Sequence, residues 1–380
     1  MSFNWLTHEN IIYSENTVEY LDKYVKVASF DLDHTLIKPK GKRTHPKDKE
    51  DFEFVFPNIG DVLNKYNDLG FSIIIFSNQS SLNIKPDKKK IVLSRIQKLN
   101  DLVFQKYNIP VRVFISNSSD YCRKPNTGMM DFFLELHNIK LDKKSFYVGD
   151  AAGRIADKEN KKDFACSDRM FALNCKINFL TPEQFFIQDD KRKFECDNSA
   201  KTLFMKEDKD GTLTNSYINW DLINQYDYIM LIGPPGSGKS TFSELLVKKH
   251  KFTDIISIDK LKTKTKTINE LKKCIKDDTK RVIIDNNHST IKSRKEYLDL
   301  VKDKGVLLIK FNIDKKHSFF LNNFRCKVNK TSRLSDVVIH SYFKYLTEPK
   351  IEEGFEDIME IPFIPKFKNK KERELFYQYF

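Results

Sequence analysis

Short apolar runs that each stop at a polar residue constrain this chain more than any other feature. Val25 to Phe30 ends at Asp31, Phe71 to Phe76 at Ser77-Asn78-Gln79, and Ser145 to Val148 at Gly149-Asp150. Val111 to Ile115 is a fourth such run, and Tyr228 to Ile232, Val282 to Ile284 and Val306 to Phe311 repeat the pattern further on. Unalternating runs of this length read as strands buried on both faces. The segments between them carry helical periodicity. Residues 88–107 place Ile91, Leu93, Ile96, Leu99, Leu102 and Val103 roughly on one face, with Asp87 read as the N-cap after Pro86. Strands alternating with helices predict an α/β chain of two doubly wound parallel-sheet domains, with ligands at the carboxyl ends of the strands.

At 380 residues the chain is too long for one ordinary core. The expected division is a lead-in over 1–23, a first domain over 24–190, a linker over 191–225 and a second domain over 226–380. The linker is charged and weakly periodic (Asp189-Asp-Lys-Arg-Lys193 leads into it), with Phe194, Leu203 and Phe204 able to pack on either neighbour. No apolar run is long enough to cross a bilayer, and Met1 to Glu9 lacks the pattern of a secretory signal. Six cysteines without a Cys-x-x-Cys pair predict free thiols in a reducing, intracellular setting, with nucleus, cytoplasm and a viral source all open. The net charge of +13 favours a polyanionic partner.

Asp31-Leu-Asp-His-Thr35 places two carboxylates just past a strand. Asp31 can attack a phosphorus and carry it as an aspartyl-phosphate, while Asp33 protonates the leaving oxygen and then helps a water hydrolyse the intermediate. Anions crowded around a phosphate need a counter-charge, so Mg2+ is expected, with Asp31, Asp33 and Asp150 as ligands. Ser77 and Lys124 are expected on the phosphate oxygens. The ordered set of Asp-x-Asp-x-Thr, Ser77-Asn78, Lys124-Pro125 and Gly149-Asp150 resembles the four motifs of the haloacid dehalogenase phosphatase superfamily.

Gly233-Pro-Pro-Gly-Ser-Gly-Lys-Ser240 follows a strand and opens a helix, the context of a P-loop. Backbone N–H groups of Gly233, Pro234, Pro235, Gly236, Ser237 and Gly238 that carry a hydrogen, with the helix start through Thr241, would cradle ATP phosphates. Lys239 would reach the β- and γ-phosphates and Ser240 would bind Mg2+. Asp259, after Ile255 to Ile258, is placed to take a proton from an acceptor hydroxyl, and Asp285 to orient Mg2+ or Ser240. Arg325, in a polar helical stretch, is a candidate lid arginine for the transferred phosphoryl group.

With both sites placed, the chain from about residue 24 onward resembles the animal-type bifunctional polynucleotide kinase 3′-phosphatases, enzymes of DNA end repair. The resemblance is carried by Tyr121-Cys-Arg-Lys-Pro-Asn-Thr-Gly-Met129, Val148-Gly-Asp-Ala-Ala-Gly-Arg154, Lys161-Lys-Asp-Phe-Ala-Cys-Ser-Asp-Arg169, Asp285-Asn-Asn287, Glu353-Gly-Phe355 and Glu360-Ile-Pro-Phe363. It implies Asp31 as nucleophile, Asp33 as general acid, Asp150 on magnesium, and Ser77, Asn78, Arg123 and Lys124 about the phosphate or substrate. It also implies ATP at Gly233 to Thr241, Asp259 as base for a 5′-hydroxyl, and Arg325 near the lid. The implied partners are DNA ends, with RNA ends open, and a downstream ligase, the chain acting as a monomer without a membrane.

Three departures stand out. His34 replaces the usual glycine, Ile258 stands where an arginine is usual, and only some two dozen residues precede the first strand. The last leads to the expectation that no forkhead-associated domain is present and that phosphothreonine scaffolds do not recruit this chain. A fused sugar phosphatase and nucleoside kinase, or a catalytically dead end-binding adaptor, fits the basic charge, the family-like stretches and the intact acids less well.

Overall fold

The computed structural model describes residues 2–17, 21–41, 43, 46–80, 82, 84–189, 191–196, 218–363, 365 and 367–379. Of the expected linker, 197–217, with Leu203 and Phe204, lies outside the described residues. The chain divides into two compact units, Met1–Thr202 with Cys326–Ser332 and Glu374–Phe380, and Leu203–Arg325 with Arg333–Arg373.

The first unit is built on a seven-stranded sheet of β1 (Leu6–His8), β2 (Ile11–Glu15), β3 (Val27–Phe30), β4 (Ser72–Asn78), β5 (Val111–Ser116), β6 (Phe146–Val148) and β7 (Asn178–Leu180). Its order is β1-β2-β5-β4-β3-β6-β7. The five strands from β5 to β7 run parallel, whereas β1 and β2 add antiparallel at the edge, Ile12 facing Ile115. Residues of the expected lead-in therefore extend the sheet, because Ile11 and Ile12 bury against it. The apolar runs reappear as strands: β3 is buried along its whole length, and Ile73, Ile75, Val111 and Val113 share one core with it.

The helix expected over 88–107 is Pro86–Leu99, continued by a π-helical turn Asn100–Phe104. Its buried face is Val92, Arg95, Ile96 and Leu99, and Leu102 is exposed. Asp87 lies in the first turn and Lys85 occupies the N-cap position. Proline suits the first helical position, since its missing N–H would have had no partner there.

The cysteine expectation needs a correction. Cys166 and Cys196 form a disulfide, while Cys122, Cys175 and Cys274 are free thiols. Gly153, at φ +72°, accepts a bond from Glu195 N at 2.8 Å, and a Cβ there would lie 2.6 Å from Cys166 Sγ. This close return brings together two cysteines whose 30-residue separation carries no sequence signal.

The second unit holds a fully parallel five-stranded sheet of β8 (Tyr228–Ile232), β9 (Asp254–Ile256), β10 (Val282–Asp285), β11 (Val306–Asn312) and β12 (Asp357–Pro362). Its order, β9-β10-β8-β11-β12, puts β8 at the centre. Helix Trp220–Gln225 precedes β8 within the expected linker, buries Ile223 and is capped by Asn219. Among the described residues no helix is long and apolar enough to cross a membrane.

Two candidate active sites

In the first unit, β3 delivers Asp31 at its carboxyl end, where Asp31 N bonds Val148 O at 2.9 Å. β6 ends beside it at Gly149-Asp150, and Thr35 ties the two turns together. Asp150 N donates to Thr35 Oγ1 at 3.1 Å, and Thr35 Oγ1 lies 3.4 Å from Asp150 Oδ1. The threonine of the first motif thus braces an acid 115 residues further along the chain.

Lys124 is buried below them. Its Nζ lies 2.5 Å from Asp31 Oδ1, 2.8 Å from Asp168 Oδ1 and 2.6 Å from Tyr147 Oη, and Tyr147 donates in turn toward Phe76 O at 3.2 Å. Asn78 sets the height of Lys124, because its Oδ1 accepts from Lys124 N at 2.9 Å and its Nδ2 donates to Lys124 O at 3.0 Å. That double bond assigns the Asn78 amide to the backbone of Lys124 rather than to a phosphate. Ser77 is buried and accepts from Gln79 Nε2 at 3.1 Å, and Arg123 is half-buried next to Lys124.

Asp31, Asp150 and Asp168 offer carboxylate oxygens that all lie within 4.8 Å of one another. Two buried acids and the half-buried Asp150 about one lysine leave negative charge in excess. Burial pushes the Asp31 carboxyl up to about 7, with Asp168 and Asp33 adding repulsion against the pull of Lys124. Burial, then Asp168 and Asp31, drives Asp150 well above the carboxylate range. Burial works against the Lys124 charge, yet Asp168 and Asp31 outweigh it and hold its proton more firmly. A hard divalent cation fits this donor set, since it takes carboxylate oxygens and relieves the repulsion.

Asp33, expected among the metal ligands, stands outside that group. Arg95 Nη1 and Nη2 hold its Oδ1 at 3.2 and 3.1 Å, and Gln79 Nε2 donates to its Oδ2. Arg95 is buried, and a buried guanidinium without an acid would be costly. Asp168 takes the third place and was missed by motif reading. It arrives from helix Ser167–Cys175 and is clamped by Ala151 N at 3.0 Å. One signal was available in Gly149, where a Cβ would sit 2.5 Å from the Asp168 carboxylate. Arg154 supports the same loop, bonding Asp163 at 2.7 Å, Glu183 at 2.6 Å and Asp150 O at 3.0 Å. His34 adopts φ +61°, the left-handed region, which accounts for the glycine usual at that place.

In the second unit, Gly233 to Gly238 join β8 to helix Lys239–His250. Gly236 and Gly238 have φ of +85° and +92°, and a Cβ on Gly233 would meet Ser237 Oγ at 2.7 Å. Pro235 O accepts from Ser318 Oγ at 2.8 Å, which pins the loop to helix Lys315–Asn329. Lys239 Nζ turns onto the loop, 2.7 Å from Gly233 O and 3.0 Å from Pro234 O. Burial lowers its pKa to about 8 against the opposing pull of Asp285 and Asp259.

Asp285 ends β10 and bonds the hydroxyls of Ser240 and Ser243, the latter at 3.2 Å. Burial raises its pKa, opposed by Lys239 and those hydroxyls. Ser243 is a contributor that the loop motif did not include. Ser240 and Thr241 are exposed at the helix start. β9 stops at Ile256, two residues earlier than expected, and Asp259 is exposed in the first turn of the short helix Ile258–Leu261. Asn286 Oδ1 accepts from Ile258 N at 2.9 Å and holds that turn. Arg325 is half-buried and lies at i+7 from Ser318 and i+3 from Asn322, so one helical face carries all three. Asn322 N lies 3.3 Å from the Cβ position of Gly236, which directs that face at the loop.

A family model described as polynucleotide kinase 3 phosphatase matches residues 26–186, a span containing every acid of the first site. A bifunctional polynucleotide phosphatase/kinase of Schizosaccharomyces pombe (strain 972) is 30% identical over 348 residues, covering 90% of this chain and 81% of its own. A protein of Acanthamoeba polyphaga mimivirus named for the same two activities is 31% identical over 379 residues, covering 89% of this chain and 85% of its own. A polynucleotide 3′-phosphatase of Saccharomyces cerevisiae is 29% identical over 225 residues, 45% of this chain and 91% of its own.

Proposed function

The chain belongs to the bifunctional polynucleotide phosphatase/kinase family, and on that premise we propose how its two sites divide the work. It removes 3′-phosphates and uses ATP to phosphorylate 5′-hydroxyl ends of polynucleotides, the two changes that prepare a strand break for ligation. The observation that carries the reading is the convergence of Asp31, Asp150 and Asp168 in the first unit, with the Lys124 ammonium bonded to Asp31 and Asp168.

At that site Asp31 attacks the phosphorus, the bond from phosphorus to the 3′ oxygen breaks, and Asp33 gives that oxygen its proton. A 3′-hydroxyl and an aspartyl-phosphate result. Asp33 then takes a proton from the water that attacks phosphorus, and inorganic phosphate leaves with Asp31 restored. Lys124, Ser77 and Arg123 bind the phosphate oxygens as their charge grows, while Asn78 and Tyr147 position Lys124. Mg2+ held by Asp31, Asp150 and Asp168 would supply neutralising charge between these acids and the phosphate.

At the second site the loop from Gly233 to Gly238 and the helix start at Lys239, Ser240 and Thr241 hold the ATP phosphates. Lys239 exchanges neutral loop carbonyls for charged β- and γ-phosphate oxygens. Asp259 takes the proton of the 5′-hydroxyl as its oxygen attacks the γ-phosphorus, and Arg325 balances the transferred charge. Ser240, oriented by Asp285, would hold a second Mg2+ with the nucleotide. DNA ends are the proposed substrate and a ligase the proposed user of the product, with the chain working as a monomer.

The test is a nicked DNA duplex bearing a 3′-phosphate and a 5′-hydroxyl, with an RNA counterpart as a second arm. Phosphate release without ATP, and 5′-phosphorylation only with ATP, are expected, on DNA above RNA. Turnover of mononucleotides alone would contradict the reading.

A further inference from the structure

Helix Pro86–Leu99 buries Val92, Arg95, Ile96 and Leu99, so its core-facing stripe is apolar except for one arginine. Arg95 is 1% exposed. Core stability does not call for it, since a buried ion pair is seldom more stabilising than an apolar replacement of similar volume. Its placement is explained by what it holds. Nη1 and Nη2 both bond Asp33 Oδ1, at 3.2 and 3.1 Å, and Gln79 Nε2 takes Oδ2 while also bonding Ser77 Oγ. Both oxygens of Asp33 are therefore tethered, and the carboxylate is kept apart from the group formed by Asp31, Asp150 and Asp168.

We propose that Arg95 is a positioning residue for proton transfer at the phosphatase site. It rests on the reading of Asp33 as the residue that exchanges a proton with the leaving oxygen. As the bond from phosphorus to the 3′ oxygen breaks, its electron pair stays on that oxygen and the Asp33 proton joins it. The resulting Asp33 carboxylate remains fixed by Arg95 and Gln79 instead of swinging toward the cation site. It is then in place to accept the proton of the water that cleaves the aspartyl-phosphate. Arg95 touches neither substrate nor cation in this scheme and acts through Asp33.

Leaving-group chemistry separates this role from a merely structural one. p-Nitrophenolate departs without a proton, whereas a sugar alkoxide does not. In the full chain, Arg95→Met should lower kcat for an oligonucleotide 3′-phosphate by about 100-fold, the lower range of general-acid effects, with KM little changed. The first-turnover burst of p-nitrophenolate from p-nitrophenyl phosphate should stay close to wild type, because it precedes the hydrolytic step, and it also reports a folded site. Arg95→Lys should recover part of the loss, and Arg95→Met combined with Asp33→Asn should lose little more than Asp33→Asn alone. An equal fall in the 3′-phosphate reaction and in the p-nitrophenolate burst, or a change in KM alone, would overturn the assignment. A wild-type chain active on p-nitrophenyl phosphate but not on the 3′-phosphate would overturn the functional reading and this assignment together. An active wild type with an unselective Arg95→Met overturns this assignment alone.

Discussion

The ammonium of Lys124 sits 2.5 Å from the carboxylate of Asp31 at the floor of the first site. It also bonds Asp168, so one cation restrains two buried acids and faces a third in Asp150. Lys124→Met should abolish phosphate removal. Because it leaves those acids uncompensated, it should also cost about 3–5 kcal/mol of stability, read by urea unfolding. Added Mg2+ should return part of that loss, and kinase turnover under folding conditions should persist.

Stability should carry the signature of the same acids. The Asp31 carboxyl is pushed from 3.8 to about 7, and Asp150 is raised as well. Between those limits the folded chain binds more protons than the unfolded one, so this contribution to stability falls as pH rises through the window. A cation competes with those protons and takes over their role at high pH. Thermal unfolding in EDTA should show Tm declining from pH 5 toward pH 7.5, and Mg2+ should raise Tm more at the upper end. A Mg2+ effect that is larger at pH 5 would contradict the assignment of the acid group.

His34 offers a third check. Its φ of +61° strains a residue with a Cβ, and it is exposed. His34→Gly should stabilise the chain by roughly 0.5–1 kcal/mol and leave phosphatase kcat close to wild type. A clear fall in activity would give the imidazole a role in substrate access.

The residues legible in the sequence share one property, which is that a local motif carries them. Asp31, Ser77 and Asp150 stand at the ends of apolar runs, Lys124 belongs to a Lys-Pro pair further past its strand, and Gly233 to Ser240 is a contiguous loop. Asp168, Tyr147 and Arg95 were not legible as site residues, because Asp168 comes from the first turn of a helix away from the strand ends and the other two from the body of a strand and of a helix. Arg95 in particular sits on an apolar helical stripe, where charge has no sequence-local reason to be. The tethering of the Asp33 side chain was not legible either, its partners lying 46 and 62 residues away. The edge strands Leu6–His8 and Ile11–Glu15 escaped notice because they are short and gain their stability from pairing, Ile11–Glu15 with β5 and Leu6–His8 with Ile11–Glu15.

The central claim is that one chain holds two independent phosphate chemistries, and separating them tests it most directly. On a nicked duplex with a 3′-phosphate and a 5′-hydroxyl, both ends are read in Mg2+ and ATP for Asp31→Ala and Lys239→Ala. Asp31→Ala should leave the 3′-phosphate in place while the 5′ end is phosphorylated at close to the wild-type rate. Lys239→Ala should give the reverse. A folded variant of either kind that loses both activities, or neither, would contradict the account.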